Sequence, residues 1–261
     1  GTVDASSGTV FQSNGAVETG GGLAGLLGRV DLRDTAFLFN TANEVGGGAL
    51  VGGALEAADS VWIGNDGADA GGALALLADE AARLTRNRMC GNVADLGGAL
   101  AVGDPSGNTG RTPVELRNNL IDAWDGPAAP ITVASRPLVL EYNHILRAGA
   151  APTVLVGQAG SLDATKNLFG HAVGEPLVQL LPEADGGRFD TNAWWLDGGV
   201  TDGILDDRSP SGATPSVEAV LDDPRLWAVT VGDGFTEDCT WRDVRHRPDS
   251  PLDDDGAIDT I

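Results

Sequence analysis

The chain has 261 residues, of which 38 are acidic and 16 basic, giving a formal net charge of −22 at pH 7. Such a negative field repels nucleic acid and anionic membrane surfaces, because binding to either requires clustered basic side chains. A membrane-spanning helix would need a run of about 18 or more apolar residues, and the sequence contains none. The composition therefore predicts neither a nucleic-acid partner nor a membrane span.

One phrase recurs four times in the first hundred residues. A large apolar residue stands three positions before an Asn, and a pair or trio of glycines follows shortly after it. The apolar residues are Phe11, Phe37, Trp62 and Met89, and the Asn residues are Asn14, Asn40, Asn65 and Asn92. The Asn residues lie 26, 25 and 27 positions apart. A fixed period between about 20 and 50 residues is typical of a solenoid, in which each repeat is buried by its neighbours.

A second series of Asn residues continues the repeat after the glycines fade. It begins at Asn87 in the fourth coil and comprises Asn119, Asn143, Asn167 and Asn192. Together the two series indicate about eight coils, which at about 4.8 Å per strand would form a rod about 35–40 Å long. We interpret the repeat Asn residues as structural, because Asn tolerates left-handed turns and stacked amides can bond along a rod. A row of ligand-binding amides is the alternative.

The short apolar runs between glycines favour strands over helices. Glycine pairs inside a helix would each cost about 1 kcal/mol per residue, whereas short apolar runs bounded by Gly, Asn and Asp are typical of strands and tight turns. The L-x-x-L-x-L frame of leucine-rich repeats is absent. The sequence therefore predicts an all-β, single-stranded parallel β-helix over residues 1–205, and the usual hand of parallel crossovers predicts right-handed winding.

Two stacked rows of side chains are predicted to fill the interior. The first contains Phe11, Phe37, Trp62 and Met89. The second contains Leu50, Leu74 and Leu100, which end the successive glycine phrases.

A change of composition near residue 205 predicts a domain boundary. Solenoids need an atypical terminal unit, because an uncovered last coil would pair with another chain. We therefore expect residues 206–261 to be a linker and a C-terminal capping segment. The aromatic cluster of Trp194, Trp195, Trp227 and Trp241 is expected to form the core of the cap, and a sugar-stacking platform is the alternative.

A turn-rich insertion between the fourth and fifth coils is the best candidate binding loop. It runs from Asp104 to Pro113 and includes Asn108 and Arg111, of which Arg111 is the expected charged anchor. Loops on a rigid scaffold are where recognition residues usually lie.

Calcium is the one cofactor that the sequence suggests. Asp253, Asp255 and Asp259 surround Gly256 at spacings that partly match an oxygen-rich calcium loop, although the first and last ligand positions are missing. A solvated acidic turn is the alternative. The two cysteines, Cys90 and Cys239, could form a disulfide only if the tail folded back along the solenoid.

The FxxN and GGA[ILV] pair resembles the repeat of the chlamydial polymorphic outer-membrane proteins and of other secreted bacterial β-helix proteins. The four clear copies cover about residues 8–102. The ending at residues 249–259 is similar to a D-x-DG-x-x-D closing segment in such proteins, but the usual Gly-Ala-Tyr continuation is absent. The resemblance implies a secreted or cell-surface protein, associated with the bacterial outer membrane or the extracellular space, that serves as an adhesin or a surface structure.

An enzymatic function is the alternative, because pectate-lyase-like enzymes also use this fold. The candidate bases are His144, His171 and His246, which do not share one stacked position. No acid, base and cation constellation stands out, so we assign no catalytic residue. We expect a non-catalytic protein of adhesion, surface structure or assembly, with carbohydrate, a surface protein or another copy as its partner. A polysaccharide-active enzyme or a carbohydrate-binding module is the competing hypothesis.

Overall fold

Short strands wind into a parallel β-solenoid whose coils each contribute one strand to each of three long sheets. The computed structural model describes residues 1–103, 110–122, 128–146, 151–172, 176–190, 192–196 and 204–210. Within these segments the secondary structure consists of strands, turns and bends, with no helix. The predicted all-β parallel β-helix is confirmed, and its right-handed winding stays a prediction.

Each long sheet contains eight parallel strands, which make seven steps from the first coil to the last. Sheet 1 contains β1 (Thr2–Ala5), β5 (Arg29–Arg33), β9 (Ala54–Ala58), β13 (Ala82–Thr85), β16 (Val114–Arg117), β19 (Pro137–Glu141), β22 (Ser161–Thr165) and β25 (Gly186–Asp190). Sheet 2 contains β2 (Thr9–Gln12), β6 (Thr35–Leu38), β10 (Val61–Ile63), β14 (Arg88–Cys90), β17 (Leu120–Asp122), β20 (His144–Leu146), β23 (Leu168–Ala172) and β26 (Ala193–Leu196). Sheet 3 contains β4 (Leu23–Gly25), β8 (Ala49–Val51), β12 (Leu74–Leu76), β15 (Leu100–Val102), β18 (Ile131–Ala134), β21 (Val154–Gly157), β24 (Val178–Leu180) and β27 (Leu205–Asp207). A short fourth sheet joins β3 (Gly15–Ala16), β7 (Thr41–Ala42) and β11 (Asp66–Gly67).

The first predicted interior row is confirmed. Phe11, Phe37, Trp62 and Met89 are partners in the register of sheet 2, and the row continues to Trp194. Trp194 was expected in the core of the cap, but it stacks on Phe169 inside the solenoid. The ring centroids of Phe11 and Phe37 lie 4.6 Å apart, and those of Phe37 and Trp62 lie 4.0 Å apart, in both cases nearly parallel. Because side chains alternate across a strand, this row faces the core and its neighbours face outward.

The second predicted row is wrong by one residue. Leu74 pairs with Leu100 on one side but with Ala49 on the other, whereas Leu50 pairs with Ala75. The second coil has three glycines where the third has two, so aligning the phrases at their last residue shifts the register. A one-residue shift places a side chain on the opposite face of the strand. Leu50 therefore faces outward, although it is buried.

Two ladders of Asn side chains run along two corners of the solenoid. In the ladder after sheet 2, the Nδ2 of Asn40 donates to Oδ1 of Asn65, and the Nδ2 of Asn65 donates to Oδ1 of Asn92, each at 2.9 Å. The ladder before sheet 2 links Asn87, Asn119, Asn143, Asn167 and Asn192 in the same way. Each step joins one coil to the next, so the ladders hold neighbouring coils in register.

The left-handed backbone at these corners lies one residue earlier than we expected. Positive φ occurs at Phe39 and Gly64, which precede Asn40 and Asn65, rather than at the Asn residues themselves. The turn directs the following Asn side chain into the wall. There the Nδ2 of Asn65 also donates to the carbonyl of Phe37, and its Oδ1 also accepts the backbone N–H of Asn40. All hydrogen-bonding groups of this amide are used within the wall.

The glycine phrases form a corner that folds over sheet 3. Gly71 has φ of +65°, and a Cβ atom at this position would lie 2.8 Å from the Cβ of Ala75 on the outer side of that sheet. A side chain larger than hydrogen has no room here. The corner therefore lies against the outward-facing side chain of Ala75, which is buried like its partner in the register, Leu50.

The coils extend slightly past the predicted domain boundary. Asp206 and Asp207, which we placed in a linker, lie in β27 and pair with Gln179 and Leu180. The rest of the predicted capping segment, from residue 211, lies outside the described residues.

We predict that Phe37→Ala lowers the free energy of unfolding by about 3–5 kcal/mol, because it leaves a cavity between two stacked rings. Thermal and urea unfolding measure the change. Phe39→Ala is the matched control, since this neighbouring ring is 51% exposed and should contribute little. Equal losses from the two variants would contradict the inward assignment.

We predict that Asn65→Ala costs about 1–3 kcal/mol beyond its lost packing, because it removes the acceptor of the buried Asn40 N–H. Asn14→Ala is the control, since Asn14 lies at the exposed end of the same ladder. Urea unfolding of both variants measures the difference. An Asn65 variant as stable as the Asn14 variant would show that the ladder contributes no net stability.

Candidate functional site: the base of the insertion loop

The predicted binding loop leaves the solenoid at the corner between sheet 3 and sheet 1. The connection at this corner spans residues 103–113 in the fourth coil, residues 77–81 in the third and residues 135–136 in the fifth. Asp104 and Asn108 lie outside the described residues. Residues 110–113 are described, so the structure defines one side of the base of the loop and its neighbours in the adjoining coils.

Arg136 is the centre of this base. It is only 2% exposed, although it carries a charge. Its Nη2 donates to the carbonyls of Glu80 at 2.6 Å and of Thr112 at 2.9 Å, its Nε donates to the Thr112 carbonyl at 3.2 Å, and its Nη1 donates to the carbonyl of Ala78. One guanidinium thus joins the connections of three successive coils.

Asp79 holds the other side of the same base. Its Oδ1 accepts the backbone N–H of Thr112 at 2.7 Å, and the hydroxyl of Thr112 donates to the backbone carbonyl of Asp79 at 3.2 Å. Thr112 therefore bonds to Asp79 through its N–H and to Arg136 through its carbonyl. The end of the insertion is fixed from both sides.

The charges at the base influence each other. Burial lowers the pKa of Arg136, an effect that the nearby charges of Asp79 and Glu80 partly offset. The guanidinium stays protonated at neutral pH, because the ordinary pKa of an Arg side chain lies far above neutrality. The backbone N–H groups of Thr112 and then of Arg111 lower the pKa of Asp79, with a smaller contribution from Arg136. The base is thus a buried cation beside a stabilised carboxylate.

Arg111, the expected anchor, has an exposed side chain. Its contribution to the base comes from its backbone N–H, which faces Asp79. At the other end of the loop, Gly103 has φ of +89°, and any side chain there would clash with the carbonyl of Ala134. The guanidinium that holds the base belongs to Arg136, and Arg111 is left facing solvent beside the loop.

Sequence reasoning missed Arg136. A weak signal was present, because Gly28 and Gly53 stand at this position in the earlier coils. A large charged residue at a position held by glycine in the first two coils needs space and partners that the coil itself does not supply. The partners are main-chain carbonyls of other coils, which no sequence motif records.

The outer face of sheet 1 carries most of the described ion pairs. Arg29 contacts Asp31 and Glu56, Arg83 contacts Glu115, and Arg117 contacts Glu141, at distances of 2.6–3.2 Å. The hydrogen bond from Arg29 is the largest cause of a lowered pKa at Asp31. Exposed pairs of this kind are worth about 0–1 kcal/mol each, so they neutralise the face more than they stabilise it.

The remaining candidate residues do not converge. His144 is buried in β20 beside Leu120 and Leu168 in the register, His171 lies in β23, and His246 lies outside the described residues. Asp206 accepts hydrogen bonds from Arg208 and from Gln179, and both lower its pKa. Asp253, Asp255 and Asp259, the predicted calcium ligands, lie outside the described residues. In the part of the chain that is described, no three His, Cys, Asp or Glu side chains are grouped closely enough to hold a metal ion.

Comparisons with protein-family models, with curated proteins and with solved structures found no match for this chain. The resemblance to secreted β-helix proteins therefore rests on the FxxN and GGA[ILV] residues and the closing segment of the sequence alone. Among the described residues, no helix is long and apolar enough to cross a membrane.

We predict that Arg136→Met destabilises the protein by about 1–3 kcal/mol, because it leaves carbonyls at the corner without a donor. The variant should also increase amide hydrogen exchange at residues 110–112. Arg111→Met removes an exposed guanidinium one residue before Thr112 and is the matched control. Unchanged exchange in the Arg136 variant would show that the base is held by other contacts.

We predict that acid loosens the base of the loop. A carboxylate whose folded pKa is depressed contributes stability above its unfolded pKa of about 3.9, and this stability is lost as the pH falls through the folded value. The amide chemical shift and the exchange rate of Thr112, measured by NMR, should therefore change as the pH is lowered below about 4. Asp79→Asn should abolish this titration, and a titration that persists in that variant would exclude Asp79 as its source.

Proposed function

We propose that this protein acts by binding rather than by turnover, as a secreted or cell-surface β-helix that presents residues 103–113 to a partner. The observation that carries the proposal is the buried Arg136, which ties the end of this insertion to three coils. The described end of the insertion, residues 110–113, is thus held in place before binding. Binding then requires less loss of conformational freedom, which favours affinity.

The rigid wall supports the same proposal. The inward positions hold stacked apolar side chains, and the Asn amides of the corners bond to each other. The carboxylates of sheet 1 face Arg side chains. An enzyme that cleaves polysaccharides would need a carboxylate pair at a suitable separation or a carboxylate–calcium site with a base. The stacked Asn amides and the paired carboxylates of sheet 1 instead build and neutralise the scaffold.

The expected partner is a carbohydrate or a protein on another surface, engaged in adhesion, surface structure or assembly. The net charge of −22 makes a polyanionic partner unfavourable. Export rests on the residue-level resemblance to secreted β-helix proteins, as the sequence predicts.

The test compares the full chain with a variant in which residues 104–109 are replaced by a Gly-Ser segment of equal length. Both are applied to arrayed glycans and arrayed surface proteins, with and without Ca²⁺. Binding should fall at least about tenfold, the factor that corresponds to 1.4 kcal/mol, while the melting temperature stays within error. Leu26→Ser with Leu27→Ser is the control, since it alters the equivalent, exposed corner of the first coil.

Two results would overturn the proposal. One is binding that survives replacement of the loop but is lost in the corner control. The other is cleavage of a uronate polymer by the pure protein, abolished by substitution of a carboxylate pair.

A further inference from the structure

An exposed aromatic ring lies at a corner whose turn does not require it. The turn after sheet 2 takes a residue with positive φ in each of the first four coils, namely Ser13, Phe39, Gly64 and Gly91. Serine and glycine satisfy this turn, whereas a bulky side chain with positive φ is strained. Phe39 has φ of +54°, is 51% exposed and lies outside the contiguous core. Neither the turn nor the core therefore accounts for this ring, which is the one exposed aromatic ring among the described side chains.

The neighbouring coil holds the ring in place. A Cβ atom added to Gly64 would lie 2.6 and 2.7 Å from two adjacent carbons of the Phe39 ring. The ring therefore rests against the bare backbone of Gly64, and much of its remaining surface faces solvent. One coil further, a Cβ atom added to Gly91 would meet no atom of another part of the chain within 4 Å. The corner beyond the ring is thus open along the rod.

Hydrogen-bonding side chains flank the ring on the side of the short fourth sheet. Thr41 and Asp66 are partners in the register of that sheet, and both are exposed. Each lies two residues after the turn residue of its coil, which places Asp66 about 7 Å along the strand from Gly64. In the part of the chain that the structure describes, no hydrogen bond or ion pair engages either side chain. A free carboxylate and a free hydroxyl therefore lie beside the exposed ring.

The charge of this corner selects among ligands. The connections that follow sheet 2 in the first four coils contain five acidic residues and no Lys, Arg or His. They span residues 13–22, 39–48, 64–73 and 91–99. On sheet 1, by contrast, Glu56, Glu115 and Glu141 contact Arg side chains. A corner without basic residues repels an anionic ligand and leaves its carboxylates available as hydrogen-bond acceptors.

We propose that Phe39, with Thr41 and Asp66, forms a stacking subsite for a neutral glycan of β-linked pyranoses. A pyranose whose hydroxyl groups are equatorial presents a flat face of axial C–H groups, which packs on an aromatic ring. Its hydroxyls point to the sides, where the Asp66 carboxylate accepts hydrogen bonds and the Thr41 hydroxyl accepts or donates one. An aromatic surface with a few placed polar groups is the usual composition of a small-ligand site.

The spacing of the coils suits an extended glycan along the rod. Successive coils are about 4.8 Å apart, close to the rise of one sugar in a β-1,4-linked chain. A first sugar on Phe39 is followed by a second over the open corner at Gly91. There it lies beside Val93, which is 38% exposed and in register with Asp66. This corner follows sheet 2, whereas the insertion loop leaves the solenoid between sheet 3 and sheet 1, so the two proposed sites are independent.

The first test titrates the full chain with cellohexaose, a neutral β-1,4-linked glucan, and follows binding by calorimetry. Phe39→Gly should weaken binding at least about tenfold, the factor that corresponds to 1.4 kcal/mol. The same variant should leave the midpoint of urea unfolding unchanged or raised, because glycine adopts positive φ without strain. Phe39→Leu should lose as much affinity, since it keeps an apolar side chain but no flat face, whereas Phe39→Tyr should bind like the unmodified protein.

The second test measures the effect of charge with the same hexamer after oxidation of every C6 to a carboxylate. This anionic form should bind at least about tenfold more weakly than cellohexaose. Asp66→Asn should narrow the difference, because it removes a negative charge beside the ring. Leu27→Ser is the control, since Leu27 is an exposed apolar residue at another corner, and it should change neither affinity.

The outcomes are distinct. Loss of cellohexaose binding in Phe39→Gly and Phe39→Leu supports the proposal. Absence of binding to the unmodified protein, full binding by Phe39→Leu, or equal binding of the anionic hexamer overturns it. Self-association or protein binding that depends on Phe39, without sugar binding, also overturns it and assigns the ring to a protein interface. Replacement of residues 104–109 should leave cellohexaose binding intact, so failure of the binding-loop proposal and failure of this one are separate results.

Discussion

The hydrogen bonds between Asn side chains of successive coils are the constraint on which the rest of the structure depends. Each bond forms only when two coils are in register, and a shift by one residue would move the amide and the neighbouring aromatic residue to the wrong side of the wall. The ladders therefore align Phe37 beneath Trp62 and select the residues that face outward. Packing supplies most of the stability, and the amides select one register.

Because the register is fixed, residues from successive coils lie side by side and form defined surfaces. On sheet 1 it aligns Asp31, Glu56 and Arg83 along the outer face, where opposite charges from neighbouring coils pair. At the corner between sheet 3 and sheet 1 it brings Thr112 beside Arg136, although they belong to different coils. The anchored base of the loop is thus a consequence of stacking. The proposed binding loop lies at a corner between sheets, where the repeat does not fix the length or the sequence of the connection.

The repeat made the fold predictable, and departures from the repeat limited the prediction. Counting residues was enough to predict the period and the stack of Phe11, Phe37, Trp62 and Met89. Each coil must bury one large apolar side chain at the same position, so the pattern recurs at a fixed spacing. Leu50 was assigned to the wrong face, because one extra glycine in its coil changed the phase. Arg136 could not be found in advance, because its partners are main-chain carbonyls, which are present at every residue and leave no pattern in a sequence.

By itself, the sequence determined the strand-forming coils, their period and the Asn and aromatic residues that align them. These properties are local and repeated, so each copy reinforces the inference from the others. Tertiary structure alone decided that Arg136 closes the base of the loop and that the outer face of sheet 2 is buried from the fourth coil onward. The first depends on contacts between segments far apart in the chain, and such contacts have no fixed spacing from which they could be predicted.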